Sequence, residues 1–138
     1  MKKYLFLVVM LGLVASAFAQ APVSKAKGPV ITFEKKTHDF GQIVQGDKVE
    51  QVFKFTNTGN EPLIITNVQV TCGCTTPKGW PRDPIQPGGK GEITIAFNSA
   101  GKIGRQDKVV TIVSNAANSD EAKISFTTQV VEKKEQPQ

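Results

Sequence analysis

Two cysteines separated by one glycine, Cys72-Gly73-Cys74, are the residues of this sequence best suited to carry out chemistry. In an extended segment, side chains at positions i and i+2 point to the same side, which brings the two thiols together. Gly73 permits backbone angles that a residue with a side chain would avoid. A disulfide across one residue closes a small ring, which constrains the unfolded chain little and can be strained and reducible. The pair is therefore a candidate for thiol redox chemistry.

The same pair supports two other hypotheses. Thiolates are good ligands for a soft metal such as Cu(I), and a third ligand would be His38, the single histidine, if it lay beside Cys72 and Cys74. The structural hypothesis is a tight bend in which the sulfurs pack as small hydrophobes or form a bridge. We favour the structural hypothesis and predict no resident metal and no cofactor.

The single tryptophan, Trp80, lies in an irregular stretch soon after the cysteines. Tryptophan is enriched at the energetic centres of protein interfaces, so one hypothesis makes Trp80 an anchor for a partner. The other makes it a lid over the open end of the core. The predicted binding residues are Cys72, Gly73, Cys74 and Trp80, with the loop around them.

Other short motifs do not predict catalysis. The run 87–91 is rich in glycine like a phosphate-binding loop, but a strand follows it where such a loop needs a helix, so we predict a hairpin turn. Asp39-Phe40-Gly41 lacks the other elements of a kinase, and we predict a bend there with Phe40 in the core. The sequence contains no G-x-S-x-G, no H-E-x-x-H and no paired carboxylate motif. We therefore predict that the protein is not an enzyme.

The first nineteen residues have the composition of an export signal. Lys2 and Lys3 precede an apolar run over 4–14, and Ala17-Phe18-Ala19 fits the small-residue cleavage pattern. The run is too short for a comfortable membrane anchor. We expect cleavage after residue 19, no membrane span in the mature chain, and a periplasmic or secreted location.

The charge pattern argues against nucleic-acid partners. Removal of the signal lowers the formal net charge from +5 to +3. Basic residues are scattered among acidic ones, as with Lys48 near Asp47 and Glu50, and no basic stripe is interleaved with aromatic residues as a nucleic-acid site would require. The expected partner is a protein, with components of the cell envelope among the candidates.

The composition after the signal predicts a fold made of strands. From residue 20 onward there are twelve valines and ten isoleucines against one leucine, Leu63. Because β-branched residues suit a pleated sheet, a helical bundle is excluded. We predict a leader over 20–29, one domain over 30–131 and a disordered tail over 132–138. Predicted strands cover 30–33, 43–44, 49–57, 63–71, 92–97, 109–114 and 122–130, with an irregular stretch over 72–91.

About seven short strands with frequent turns indicate an all-β, immunoglobulin-like antiparallel β-sandwich. The chain lacks the widely spaced cysteine pair and the corner tyrosine of antibody domains. Sheet edges and end loops are the surfaces that we expect such a module to offer a partner.

Several motifs taken together resemble a family of secreted bacterial domains, the domain of unknown function 1573. The resemblance covers nearly all of residues 30–131 and implies an immunoglobulin-like sandwich similar to Hydin-type and sperm-protein-type domains. It implies export but no reaction. The motifs are His38-Asp39-Phe40-Gly41-Gln42-Ile43 with Gly46, Phe53-Lys54-Phe55-Thr56-Asn57-Thr58-Gly59, Pro62-Leu63-Ile64-Ile65, Thr71-Cys72-Gly73-Cys74-Thr75-Thr76-Pro77, Ile85 with Pro87-Gly88 and Gly91, Gly101 to Gly104, and Ser114-Asn115.

The function expected from all these observations is that of an exported, non-catalytic binding or structural module of the bacterial cell envelope. The alternative is a small thiol-redox or copper-handling protein that uses Cys72 and Cys74.

Overall fold

The computed structural model describes residues 27–134, and this part of the chain forms two four-stranded sheets packed face to face. One sheet has the order β1-β3-β6-β5 and the other the order β2-β8-β7-β4. Among the described residues there is no α-helix, only a short 3-10 turn, Ser119–Glu121. The strands are β1 (Ile31–Phe33), β2 (Thr37–Val44), β3 (Lys48–Asn57), β4 (Ile65–Val70), β5 (Thr75–Gly79), β6 (Lys90–Asn98), β7 (Gly104–Ser114) and β8 (Lys123–Val131).

Alternating side chains build the core between the sheets, as the sequence predicts. Along β8, alternate residues from Ala122 to Val130 are buried, and along β3 the buried residues include Phe53 and Phe55. Successive side chains of a strand point to opposite faces, so this pattern places one face of each strand inside. The prediction of an immunoglobulin-like sandwich is confirmed, with eight strands rather than about seven.

The bend predicted at residues 38–41 is wrong, because β2 continues through it. The pairing of β2 with β8 shifts register between Asp39 and Gln42, which marks a β-bulge. Gly41 has a φ of +71°, a value that glycine adopts without the steric cost of a side chain. The glycine therefore kinks the strand without ending it. The pairing itself is parallel, whereas the other described strand pairs are antiparallel.

The stretch predicted to be irregular over 72–91 contains β5, a strand that the sequence does not reveal. Its residues include Pro77 and Gly79, both of which disfavour a strand interior. Proline is tolerated on an edge strand, and β5 is the edge of its sheet, paired only with β6. Tertiary pairing thus overrides the local signal here.

One buried asparagine joins several loops at the end of the sandwich away from the cysteines. Asn57 has no exposed surface. Its side-chain oxygen accepts hydrogen bonds from the N–H groups of Gly59 at 3.0 Å and Val30 at 3.3 Å. Its amide nitrogen donates to the carbonyls of Glu61 at 2.7 Å and Ile85 at 2.8 Å. All four of its side-chain hydrogen-bonding positions are therefore occupied.

The topology defines two ends of the sandwich. The cysteine end carries the loops 45–47, 71–74 and 99–103, together with the last residue of β8. The opposite end, which we call the asparagine end after Asn57, carries the loops 34–36, 58–64, 80–89 and 115–122. The predicted turn over 87–91 lies in this second set, where Gly88 has a φ of +81° and leads into β6.

Some expectations fall on residues outside the described part of the chain. These are the signal peptide over 1–19, most of the leader over 20–29 and the end of the tail over 132–138. Within residues 27–134, no helix is both long enough and apolar enough to cross a bilayer.

Candidate functional site

The chain passes from one sheet to the other through a crossover at the cysteine end, between β4 and β5. Cys72 and Cys74 form a disulfide there, with their Cα atoms 5.3 Å apart, within the usual range for a bridge. Two backbone hydrogen bonds hold the same turn: Thr75 N–H donates to the Cys72 carbonyl at 3.2 Å, and Asn98 N–H donates to the Cys74 carbonyl at 2.9 Å. The turn is thus fixed by the backbone as well as by the sulfurs.

Gly73, between the two cysteines, is exposed and has neither steric crowding nor a positive φ. A Cβ added at this position would meet nothing within 4 Å. The expectation that Gly73 supplies unusual backbone angles therefore fails.

A buried hydroxyl touches both sulfurs. Thr75 is 3% exposed, and its Oγ1 lies 3.7 Å from Cys72 Sγ and 3.8 Å from Cys74 Sγ. These distances fit weak hydrogen bonds that involve sulfur. The hydroxyl can rotate its proton towards either atom. Thr75 was not among the predicted site residues, although its position directly after Cys74 was a signal for it.

An open depression of about 270 Å³ adjoins the bridge on the outer face of the β1-β3-β6-β5 sheet. Cys74 lines it together with Lys48, Lys78 and Glu50. Lys78 pairs with Glu50 at an N–O distance of 3.4 Å, and both side chains are more than half exposed. The net charge of these three ionic side chains is positive, and positive charge near a cysteine favours its thiolate form.

Trp80 does not share a site with the cysteines. It follows the far end of β5, whereas Cys74 immediately precedes the strand. A strand rises about 3.3 Å per residue, so the length of β5 separates the two features. Trp80 is half-buried against the core, and the guanidinium of Arg82 lies 3.9 Å from the centre of its ring. This position fits the lid hypothesis better than the anchor hypothesis.

His38 also lies away from the cysteines. It is in β2, at one edge of its sheet, whereas the cysteines follow β4 at the other edge, with β8 and β7 between. Its ring packs edge-to-face against Phe40, 4.6 Å between centres. The structure does not bring Cys72, Cys74 and His38 together. Within the described part of the chain, no three side chains of His, Cys, Asp or Glu are grouped as metal ligands.

Side chains occupy the outer edges of the two sheets. Asn118 mimics a neighbouring strand for β1, because it accepts from Ile31 N–H at 3.1 Å and donates to the Ile31 carbonyl at 2.9 Å. On β4, Asn67 Oδ1 accepts from Val68 N–H at 2.9 Å. On β5, Pro77 has no N–H to offer.

The fourth edge strand, β2, is closed by carboxylates and by its bulge. Asp39 accepts a hydrogen bond from Gly41 N–H at 2.7 Å, and Asp47 accepts one from Val44 N–H at 3.0 Å. Natural sheets block edge pairing by such devices. Each of these contacts occupies a backbone group that a partner strand would otherwise use.

An apolar row lies at the cysteine end of the other sheet. The register pairs Val44 of β2 with Val131 of β8, and Val130 of β8 with Gly104 of β7. Ile103 directly precedes Gly104, so it lies next to Val131 and extends the row to a third chain segment. Val44 is 38% and Ile103 50% exposed, and both are among the five exposed large hydrophobic side chains of the described part. We call these three residues, Val44, Val131 and Ile103, the apolar row.

The outer face beside this row carries an exposed ion pair. Arg105 Nε donates to Asp107 Oδ2 at 3.0 Å. This hydrogen bond and the negative charge of Asp107 raise the pKa of Arg105 above its ordinary value. Both side chains are mostly solvent-exposed, so the pair orders the surface and adds little to stability.

Comparison with solved structures identifies the fold. A protein of unknown function from Porphyromonas gingivalis W83 is similar to this chain with a TM-score of 0.64 at 20% identity, over 78% of this chain and 50% of that one. The ASH / PapD-like domain of human CEP192 has a TM-score of 0.57 at 13% identity, over 83% of this chain and 94% of that domain. At these identities the likeness is one of fold.

A secreted serine protease, VesC from Vibrio cholerae, has a TM-score of 0.53 at 14% identity. The match covers 78% of this chain but 24% of that protease, so it too is a likeness of fold alone. The chain thus spans half or less of the Porphyromonas and Vibrio proteins that it matches. No curated protein matches it.

A family model matches residues 31–130, which extend from the first residue of β1 to the penultimate residue of β8. This match covers both sheets and the cysteine crossover between them. The chain belongs to the family described as Protein of unknown function (DUF1573).

Proposed function

We propose that the protein is an exported, non-catalytic immunoglobulin-like module that binds a protein of the cell envelope through its cysteine end. The observation that carries this proposal is the apolar row exposed at this end, beside loops that belong to both sheets. The partner would present a complementary apolar surface and bury Val44 and Ile103. We propose a periplasmic or secreted location for the complex.

Two features support export. The sequence over 1–19 has the charged start, apolar run and small-residue cleavage pattern of a secretory signal. The bridge between Cys72 and Cys74 suits a compartment that oxidises thiols, since the cytosol keeps most cysteines reduced.

The closed edges support recognition by an end of the sandwich over strand addition. A partner strand at β1 would have to displace Asn118, and one at β4 would have to displace Asn67 from a backbone N–H. Each displacement would cost hydrogen bonds that already exist. The apolar row involves no such loss.

The copper-handling alternative has little support. In the bridged form neither cysteine carries the free thiolate that Cu(I) prefers. His38, the third ligand considered, lies at the other edge of its sheet. The thiol-redox alternative does not need His38.

Export can be tested by Leu11→Arg, which places a charge in the apolar run. We expect the wild-type protein outside the cytoplasm with a mass that fits cleavage after residue 19. The variant should stay in the cytoplasm at full length with reduced cysteines. Uncleaved wild-type protein in the cytoplasm would show that the export proposal is wrong.

Binding can be tested with a photo-reactive amino acid at residue 103 in the cells that naturally make the protein. The matched control places the same amino acid at residue 52, where Val52 is 39% exposed on the outer face of β3. We expect a discrete cross-linked protein from position 103 and none from position 52. The same product from both positions, or none from 103, would contradict binding at the cysteine end.

A further inference from the structure

The Cys72–Cys74 bridge can open without loss of the fold around it. Its two residues are separated by one, so the bridge restricts the unfolded chain little compared with a bridge that closes a long loop. The backbone hydrogen bonds from Thr75 N–H and Asn98 N–H involve carbonyls, not sulfurs, and both can persist after reduction. The two sheets also contact each other through the whole buried core.

The bridge is accessible to an attacking thiolate. Both cysteines are half-buried, and Gly73 between them is exposed with no neighbour where a side chain would lie. Neither backbone conformation nor packing requires glycine at this position. Thiol exchange depends on access to a sulfur atom, and Cys74 lines the open depression from which a thiolate could approach.

The surroundings stabilise the thiolate that would leave. The Thr75 hydroxyl lies within 3.8 Å of both sulfurs, so it can donate to either one after the bond breaks. Because Thr75 is buried, water competes little for this donor. Lys48 and Lys78 line the depression beside Cys74 and add positive charge, part of which Glu50 neutralises.

From these observations we propose that Cys72 and Cys74 form a reversible thiol–disulfide exchange site for a dithiol on another exported protein. This activity goes beyond the binding function proposed above and does not depend on it. The site requires no metal and no residue outside the crossover and its depression.

The exchange takes place in two steps. A thiolate of the dithiol attacks one sulfur of the bridge, the Cys72–Cys74 bond breaks, and a mixed disulfide forms. The other cysteine leaves as a thiolate that accepts a hydrogen bond from Thr75. The second thiolate of the dithiol then attacks the mixed disulfide. Two electrons and two protons pass to Cys72 and Cys74, which become thiols, and the dithiol becomes a disulfide.

The first test is a redox titration of the protein purified from the cells that make it, with dithiothreitol and glutathione as probes. Thiol trapping and intact mass measure the reduced fraction, and far-UV circular dichroism follows the fold. We expect reversible two-electron reduction with unchanged circular dichroism. A bridge that resists excess glutathione and dithiothreitol, or that unfolds the domain when it opens, would overturn the proposal.

The second test compares Thr75→Val with Thr75→Ser. Valine keeps the shape and removes the hydroxyl, whereas serine keeps the hydroxyl. A hydrogen bond to a charged group is worth enough to change a rate about tenfold, so we expect about tenfold slower exchange with dithiothreitol in the valine variant and a near wild-type rate in the serine variant. Equal exchange rates in the wild type and both variants would show that the Thr75 hydroxyl has no role in the exchange, and would contradict the proposed site.

A matched control guards against a general effect of lost hydroxyls. Thr111→Val changes a half-buried threonine of β7, in the other sheet and outside the crossover. It should exchange at the wild-type rate. If it slows as much as Thr75→Val, the effect is not local to the sulfurs and the proposed role of Thr75 is wrong.

Discussion

The two ends of the sandwich are held together in different ways. At the asparagine end, buried Asn57 makes four side-chain hydrogen bonds, which reach two loops and the residue before β1. At the cysteine end, a covalent bridge closes a turn of three residues, and its sulfurs touch one hydroxyl at 3.7 and 3.8 Å. We expect the fold to depend less on the covalent link than on Asn57, because the bridge connects residues that are already neighbours in the chain.

The largest effect should come from removing Asn57. Asn57→Ala removes the acceptor of the buried Gly59 N–H and of the half-buried Val30 N–H, and each unsatisfied buried group costs about 1–3 kcal/mol. We expect the free energy of unfolding to fall by about 3 kcal/mol or more in urea denaturation. Asn98→Ala at the cysteine end is the control; Asn98 is exposed and accepts one hydrogen bond from Ala100 N–H, so we expect a loss below about 1 kcal/mol. Equal losses would contradict the comparison.

Alanine substitutions at two glycines provide a second test of the difference between the two ends. A Cβ at Gly91 would lie 2.4 Å from Cζ of Phe55, a fully buried ring, whereas a Cβ at Gly73 would meet nothing within 4 Å. Overpacking of this kind costs about 1–3 kcal/mol. We therefore expect Gly91→Ala to lower the thermal midpoint clearly and Gly73→Ala to leave stability within about 0.5 kcal/mol of wild type. A destabilised Gly73→Ala protein would mean that the crossover is more tightly packed than described.

The bridge itself should contribute less than Asn57. Replacement of both Cys72 and Cys74 by serine removes a link across one residue, and the chain-entropy account gives a loss below about 2 kcal/mol. The variant should keep its circular dichroism spectrum and unfold in one transition. Failure to fold would show that the bridge contributes more to the stability of the domain than Asn57 does.

The smallest effect should come from the ion pair beside the bridge. Glu50→Gln removes the partner of Lys78, but the pair is more than half exposed, and such pairs contribute about 0–1 kcal/mol. We expect a change in the free energy of unfolding below about 0.5 kcal/mol, and less at high salt. A loss above 1 kcal/mol in urea denaturation would show that this pair stabilises the crossover.

Sequence patterns predict the core well, because burial follows the period of a strand. The alternation over 122–130 and in Ile93, Ile95 and Phe97 matches the buried residues one by one. The patterns fail where pairing with a distant strand decides the structure. The local sequence predicts a bend at Gly41, yet this residue kinks a continuous strand, and β5 forms despite Pro77 because β6 provides its partner.

The sequence likewise predicts only part of the candidate site. Spacing alone indicates that Cys72 and Cys74 can meet, since the relation is local. Nothing local shows that β5 carries Trp80 away from them, or that His38 lies at the far edge of its sheet. The sequence does not predict the roles of Asn57 and Asn118 either. A single polar residue that forms hydrogen bonds with distant parts of the chain produces no periodic pattern.

The parallel pairing of β2 with β8 has a consequence for the timing of folding. Thr37 near the start of the domain pairs with Ser125 near its end, so this sheet cannot close until almost the whole domain has been synthesised. Contacts between distant parts of a chain form slowly, because closing a long loop costs entropy before any contact is gained. The edge strand β2 therefore has no partner in its own sheet until β8 has been made.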